Sequence, residues 1–371
     1  MDINLLPTLL KKFFAMLTVL SLLFAGIGGT GTETTETEIK NVIFFIGDGM
    51  GPNHLEKTKA ETGEELFMDT LPVQGFSKTS NYTGGVTDSA AGATALACGI
   101  RTANGRVGVY ITDPFAYASY PMNLTELCME RGMKTGIVTS DSTAGATPAG
   151  FSAHVFQRKY TEDITKQQLA SGIDLIWGLS TGLVTPEIVA ETGYKYVESM
   201  EDILALEDGD KSFGQFTKEL WRLAGGSSYP TLSQLTEAAI DLLKNENGFF
   251  LMVEGAHIDK HSHSNKAEEM KEALLEFDKA IQIATEFAMA EGNTLIVVTA
   301  DHETGAIKYK NGAYEFTSGS HSGANVPLRV YGCNDFIKPG QAIKNREIPV
   351  RVAKALGFAE SAFPRTIDAA A

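Results

Sequence analysis

Ser89 stands in Thr87-Asp88-Ser89-Ala90-Ala91-Gly92-Ala93, at the head of an alanine-rich stretch that stops at Gly99. The composition predicts a short helix, capped at its start by Asp88 or Thr87 and at its end by a left-handed glycine. A hydroxyl in the first turn lies among unpaired backbone N–H groups at the positive end of the helix dipole, where an anion is held well. Asp-Ser-Ala alone reads as a plain helix cap, and Ser89 becomes a nucleophile only if something removes its proton. Other parts of the chain supply the means. Glu254-Gly255-Ala256-His257-Ile258-Asp259-Lys260-His261-Ser262-His263 is dense in donor groups. Asp259 and His263 are four apart, so on a helical turn they face the same way and can grip one zinc ion through oxygen and nitrogen. Asp301-His302 is a second pair of metal-binding type, and Asp48 lies in a glycine-rich turn. His321 sits alone in the small-residue loop Ser318-Gly319-Ser320-His321-Ser322-Gly323. His257 and His261 point elsewhere on that spacing and are expected to be supporting or surface residues, and His154 a structural one.

Bringing Asp48, Asp88, Glu254, Asp259 and Asp301 together would cost many kcal/mol in repulsion without cations to neutralise them. Two or three divalent ions would do so, and would leave a site that attracts phosphate despite the acidic protein around it. A metal-bound serine hydroxyl can lose its proton near neutral pH as metal-bound water does. Arg158 offers the planar fork that takes two phosphate oxygens.

The elements that must position these groups are readable as continuous apolar runs. Asn41–Ile46 leads into Gly47-Asp48-Gly49-Met50-Gly51, Lys134–Thr139 into Ser140-Asp141, Gly248–Val253 onto Glu254, and Thr294–Thr299 onto Asp301-His302. Apolar throughout, they predict strands buried on both faces. Leu124–Arg131, Leu232–Lys244 and Ala267–Ala290 read as helices between them, the last through Met270, Leu274, Phe277, Ile281, Ala284 and Ala288 on one face. The fold class is therefore α/β, a mostly parallel central sheet with helices on both faces, and in such sheets ligands bind beyond the carboxyl ends of the strands. Residues 159–230 carry little pattern and are expected to form an acidic helical insertion containing Trp177 and Trp221.

With 371 residues, 43% of them hydrophobic, the chain can bury a substantial core. Its formal charge of −15 argues against nucleic acid or an anionic membrane surface as partner. Lys11 and Lys12, an apolar run from Phe13 to about Ile27, and a polar stretch to residue 36 form the layout of a signal peptide and linker, with no stable membrane anchor. The expectation is a periplasmic or secreted protein whose single catalytic domain spans residues 37–371. Cys98, Cys128 and Cys333 are too few and scattered for a disulfide framework.

Taken together these motifs resemble the two-zinc, one-magnesium alkaline phosphatase family. The similarity rests on Gly-Asp-Gly-Met-Gly at 47–51, Thr-Asp-Ser-Ala-Ala-Gly-Ala-Thr-Ala at 87–95, and Ala-Thr-Pro-Ala-Gly-Phe at 146–151 with Arg158 downstream. It continues in Val-Glu-Gly-Ala-His-Ile-Asp-Lys-His-Ser-His at 253–263, Ala-Asp-His-Glu-Thr-Gly at 300–305 and the late Ser-His-Ser-Gly. The resemblance implies hydrolysis of phosphate monoesters through a phosphoserine on Ser89. It implies one zinc on Asp259, His263 and His321, a second on Asp48, Asp301 and His302, and a magnesium on Asp48, Thr147 and Glu254. Arg158 would clamp the phosphate, oriented by Asp88, with Lys260 beside the third metal, and the protein would be a homodimer.

Two departures from the pattern matter. Relatives usually carry Asp or His two residues before the magnesium threonine, where this chain has Gly145, leaving Asp141 on the same loop as the candidate substitute. Gly145→Asp is therefore expected to tighten magnesium binding. Only 19 positions separate His302 from His321, so a crown-like subdomain found in larger relatives is absent and the site is more open. The alternatives are a superfamily phosphodiesterase, which normally uses threonine as nucleophile, and a secreted metal- or phosphate-binding protein without turnover. Sulfatases are disfavoured because Ser89-Ala90-Ala91-Gly92 lacks the proline and arginine their nucleophile requires.

Overall fold

The computed structural model describes residues 38–111, 118–217, 220, 222 and 230–367. The proposed signal segment and Trp221 lie outside these residues. Among the described residues, ten strands form one sheet: β1 (Asn41–Ile46), β2 (Val73–Lys78), β3 (Lys134–Ser142), β4 (Leu175–Leu179), β5 (Lys195–Val197), β6 (Ser212–Phe216), β7 (Phe249–Glu254), β8 (Thr294–Thr299), β9 (Val326–Tyr331) and β10 (Ala342–Lys344). Their order across the sheet is β10-β2-β9-β8-β1-β7-β3-β4-β6-β5. Only β9 runs against the others, pairing antiparallel with β8 and β2, so the sheet is mostly parallel as the apolar runs require.

The central strands are apolar at every position because both their faces are covered. Ile43 and Phe45 of β1 pack under the helices Leu232–Leu243 and Ala267–Glu291, while Val42, Phe44 and Ile46 join Leu96, Phe151 and Phe250 on the other side. Phe45 meets Phe277 edge to face with ring centroids 5.8 Å apart. Each such side chain contributes about 1.5–3 kcal/mol of burial, which fixes both helices on the sheet. Among the described residues no helix is long and apolar enough to cross a membrane.

The segment 159–230 is not a helical insertion. It supplies β4, β5 and β6, which extend the sheet on one side, with the short helices Thr161–Ala170, Pro186–Ala190 and Met200–Leu204 between them. Strands of three to five residues are too short to show periodicity, and glycine and glutamine interrupt their apolar character. Trp177, fully buried in β4, donates its indole N–H to Ser212 Oγ of β6 at 2.9 Å. β2, β9 and β10 also carry weak signals: β2 alternates buried and more exposed positions in a stretch that reads as mixed and polar.

What matters for the site is register. Ile46 of β1 is level with Glu254 of β7 and with Thr299 of β8, and Thr139 of β3 is level with Glu254. The neighbouring strands β8, β1 and β7 thus end at one height, while β3, level with them at Thr139, runs on to Ser142; together they present Asp301-His302, Asp48, Glu254 and Asp141 at a single edge.

Candidate metal centre

Ser89 is the first residue of the helix Ser89–Cys98 and is almost fully buried. Asp88 is the cap: its Oδ1 accepts from Ala91 N at 3.0 Å, while Oδ2 accepts from Gly105 N at 2.9 Å. Gly99 closes the helix in the left-handed conformation, as the sequence suggests. Gly92 lets this helix lie against the end of β8, since a Cβ there would come within 2.9 Å of Asp301 Cβ. The result places Ser89 Oγ 3.3 Å from His302 Nε2. Arg158 is half-exposed at the rim, with Nη1 3.4 Å from Asp88 Oδ2.

Two groups of donors converge behind the serine, Asp48 with Asp301 and His302, and Asp259 with His302 and His321; within each group the donor atoms lie within 4.8 Å of one another. His302 Nε2 lies 3.2 Å from Asp301 Oδ2 and 3.5 Å from Asp48 Oδ1. The turn that carries Asp48 continues into Gly49, whose positive φ of 72° and the 2.8 Å at which a Cβ there would meet Asp259 admit no side chain. Asp301 Oδ1 is held by Gly49 N and His302 N, which leaves Oδ2 buried without a hydrogen-bond partner. Asp48 Oδ1 and Thr147 Oγ1 are buried and unpartnered in the same way.

Asp259 and His263 lie on the helix His257–His263 as the spacing predicts, with His263 Nε2 3.3 Å from Asp259 Oδ2. His263 Nδ1 donates to Gly319 O at 2.7 Å and His321 Nδ1 donates to Thr87 O at 3.0 Å. Both rings therefore turn Nε2 inward, and the two Nε2 atoms stand 3.1 Å apart. Two inward nitrogen lone pairs at that distance need a proton or a cation between them. This donor set, together with the orphaned carboxylate oxygens, fits divalent cations. Absent a cation, the hydrogen bond to Asp259 pushes His263 up to about 9. Burial favours the protonated form of Asp259, but the His263 hydrogen bond and the neighbouring imidazoles hold it down at about 2. Burial, then the charge of Asp301, pushes Asp48 well above the usual carboxylate range. Burial and Asp259 take Asp301 to about 7, and burial and Asp141 take Glu254 to about 8.

Glu254 ends β7 beside Thr139, whose hydroxyl donates to Glu254 Oε2. Asp141 forms an ion pair with Lys260. A Cβ at Gly145 would lie 2.9 Å from both Asp141 Oδ2 and Ser142 O, so the Asp141 carboxylate stands in the space a side chain at 145 would claim. The gain expected of Gly145→Asp therefore requires Asp141 to move first. His263, expected as a ligand beside Asp259 and His321, lies outside both donor groups, His302 taking its place in the second; His257 and His261 also belong to neither, their rings tilting against each other at 5.5 Å with His257 Nδ1 3.4 Å from Ser140 Oγ. His154 bonds Gly108 O and Glu126 instead, the structural part expected of it. Thr139, Thr304 and Glu303 escaped the sequence reading, because single hydroxyls and one further acid beside a motif carry no spacing signal.

Acidic and imidazole donors gathered at the carboxyl edge of a mostly parallel sheet, next to a serine at a helix head, are the equipment of a metal-assisted α/β hydrolase. The alkaline phosphatase family profile matches residues 39–177 and 181–326. The chain is 30% identical over 387 aligned positions to the alkaline phosphatase of Escherichia coli K12, covering 79% of this chain and 81% of that protein. It is 32% identical to alkaline phosphatase H of Pseudomonas aeruginosa, covering 72% of this chain and 70% of the relative. The solved alkaline phosphatase of the Antarctic bacterium TAB5 superposes with a TM-score of 0.76 at 29% identity, over 88% of this chain and 100% of that one. The chain belongs to the alkaline phosphatase family. It is a phosphatase, and its substrates are phosphate monoesters.

Proposed function

We propose that the protein hydrolyses phosphate monoesters in two displacements through a phosphoserine on Ser89. The observation that carries this is Ser89 Oγ at 3.3 Å from His302 Nε2, beside the Asp48, Asp301 and His302 donors. Asp48, Asp301 and His302 would hold one zinc, Asp259, His263 and His321 another, and Asp48, Thr147 and Glu254 a magnesium. Such ions, when bound, lower the pKa of a coordinated hydroxyl or water and offset the charge of the phosphoryl group. Ser89 Oγ attacks phosphorus, the ester P–O bond breaks, and the alcohol departs with a proton. Water then attacks the phosphoserine, the serine P–O bond breaks, and inorganic phosphate leaves with Ser89 restored. Arg158, steered by Asp88, binds phosphoryl oxygens at the rim through both displacements. The N-terminal pattern suits export, and homodimerisation is proposed by family likeness.

Acid quenching during turnover tests this reading, because acid strips metals from their ligands yet spares a serine phosphate. Mass spectrometry is expected to find phosphate on the Ser89 peptide and on no other. A burst of product with Ser89 unmodified would overturn the proposal. A diester is expected to react far more slowly than a monoester, since its second ester group takes a place otherwise open to an anionic oxygen.

A variant of the Antarctic enzyme carries magnesium in its M3 site, and the residues proposed here for a third ion include the buried, unpartnered Thr147 hydroxyl. The Asp141 carboxylate, paired with Lys260, stands where a side chain at 145 would otherwise project, and its charge reaches Glu254. Asp141→Ala is expected to retain about tenfold less magnesium after gel filtration, with zinc content unchanged, by elemental analysis. Equal magnesium in variant and parent would exclude a part for Asp141.

A further inference from the structure

Four ligand-bearing segments meet at Thr304. It is fully buried, and the chain around it forms a two-residue strand paired with His321–Ser322, Thr304 lying opposite His321. Its backbone N–H donates to Gly49 O at 3.0 Å, in the turn that carries Asp48. Its hydroxyl donates to Asp259 Oδ1 and lies 3.3 Å from His302 Nδ1. Asp259 belongs to one donor group, Asp48 to the other, and His302 to both.

The direction of these hydrogen bonds is forced. A hydroxyl has one proton, and an ionised carboxylate can only accept, so the Thr304 proton goes to Asp259. The hydroxyl oxygen is then the acceptor for His302, whose Nδ1 must carry the ring proton. That tautomer leaves Nε2 with its lone pair, facing Asp301 Oδ2 at 3.2 Å, Ser89 Oγ at 3.3 Å and Asp48 Oδ1 at 3.5 Å. At the other end, engaging Oδ1 leaves Asp259 Oδ2 turned toward His263 Nε2 at 3.3 Å.

We infer that Thr304 is a positioning residue that couples the two zinc sites, its one hydroxyl setting the tautomer of His302 and the presented oxygen of Asp259 together. The inference rests on the proposed reading of Asp48, Asp301 and His302 as one zinc site and Asp259, His263 and His321 as the other. Removing the hydroxyl leaves the backbone contacts to Gly49 and His321 in place, so side chain and backbone can be separated by substitution.

The test is zinc titration of the metal-stripped full-length chain, with chelator competition, for the parent, Thr304→Val, Thr304→Ala and Thr304→Ser. Valine and alanine are each expected to weaken zinc at both sites by about tenfold or more, and serine to restore both to near the parent. Cobalt substitution gives a second readout: the d–d absorption of both sites is expected to shift in the valine variant and return in the serine variant. Circular dichroism checks folding, and alanine decides the matter if valine alone fails to fold. Parent-like isotherms in valine and alanine, weakening at one site only, or failure of serine to rescue would each overturn the inference. A parent that binds no zinc would sink the two-site reading as well, and so would be told apart from a failure of Thr304 alone.

Discussion

Ser89→Ala is expected to lower kcat/KM for p-nitrophenyl phosphate by about 10³–10⁴-fold while leaving zinc content unchanged. In the proposed mechanism the hydroxyl lost supplies the oxygen that attacks phosphorus, so its removal closes the covalent route. The loss stops short of the uncatalysed rate because Arg158 and the donor groups remain, and the small cavity left by Oγ admits a water. Ser89 makes no helix-capping bond, since Asp88 Oδ1 caps Ala91 N. Removing its hydroxyl therefore costs little stability, and a Tm close to the parent's separates a chemical loss from a folding one. Steady-state kinetics with elemental analysis decide the outcome; a variant within tenfold of the parent would remove Ser89 from the mechanism.

Chelation is expected to abolish activity and to make stability strongly dependent on pH. In the stripped chain Asp48, Asp301 and Glu254 are buried close together, with Asp48 raised well above its ordinary value, Asp301 at about 7 and Glu254 at about 8. A carboxyl whose pKa is raised on folding stays protonated in the native state after it has ionised in the unfolded chain. Stability therefore falls as pH rises from the unfolded values near 4, and the loss is complete only above the folded values. Bound cations reverse this, because they require ionised ligands. The rise in Tm on adding zinc to stripped protein is expected to be small at about pH 5.5 and about 5 °C or more at about pH 8.5. Differential scanning calorimetry at the two pH values checks it. A zinc-induced shift of equal size at both would mean that these carboxyls do not gather around the ions.

The donor residues were legible because the strands that deliver them are buried on both faces. Such strands must be apolar throughout, so each run announces its own end: Glu254 is the last residue of β7, and Asp48 and Asp301-His302 fall just past the ends of β1 and β8. Asp259 and His263 were legible for a different reason, the helical spacing of four that brings them to one side of a single turn. The extension of the sheet through 159–230 was hidden, because strands of three to five residues with glycine or glutamine inside have no period to detect.

By itself the sequence determined which atoms are available, namely a serine at a helix head and donors at strand ends, since local rules of periodicity and capping act within a dozen residues. Only the tertiary structure decided how those atoms face one another. The shared level of β8, β1, β7 and β3, the inward turn of His263 and His321 through bonds to Gly319 and Thr87, and the single hydroxyl of Thr304 between Asp259 and His302 all join residues far apart in the chain. Such contacts depend on strand register and on the path of a proton, and neither leaves a mark in residue spacing.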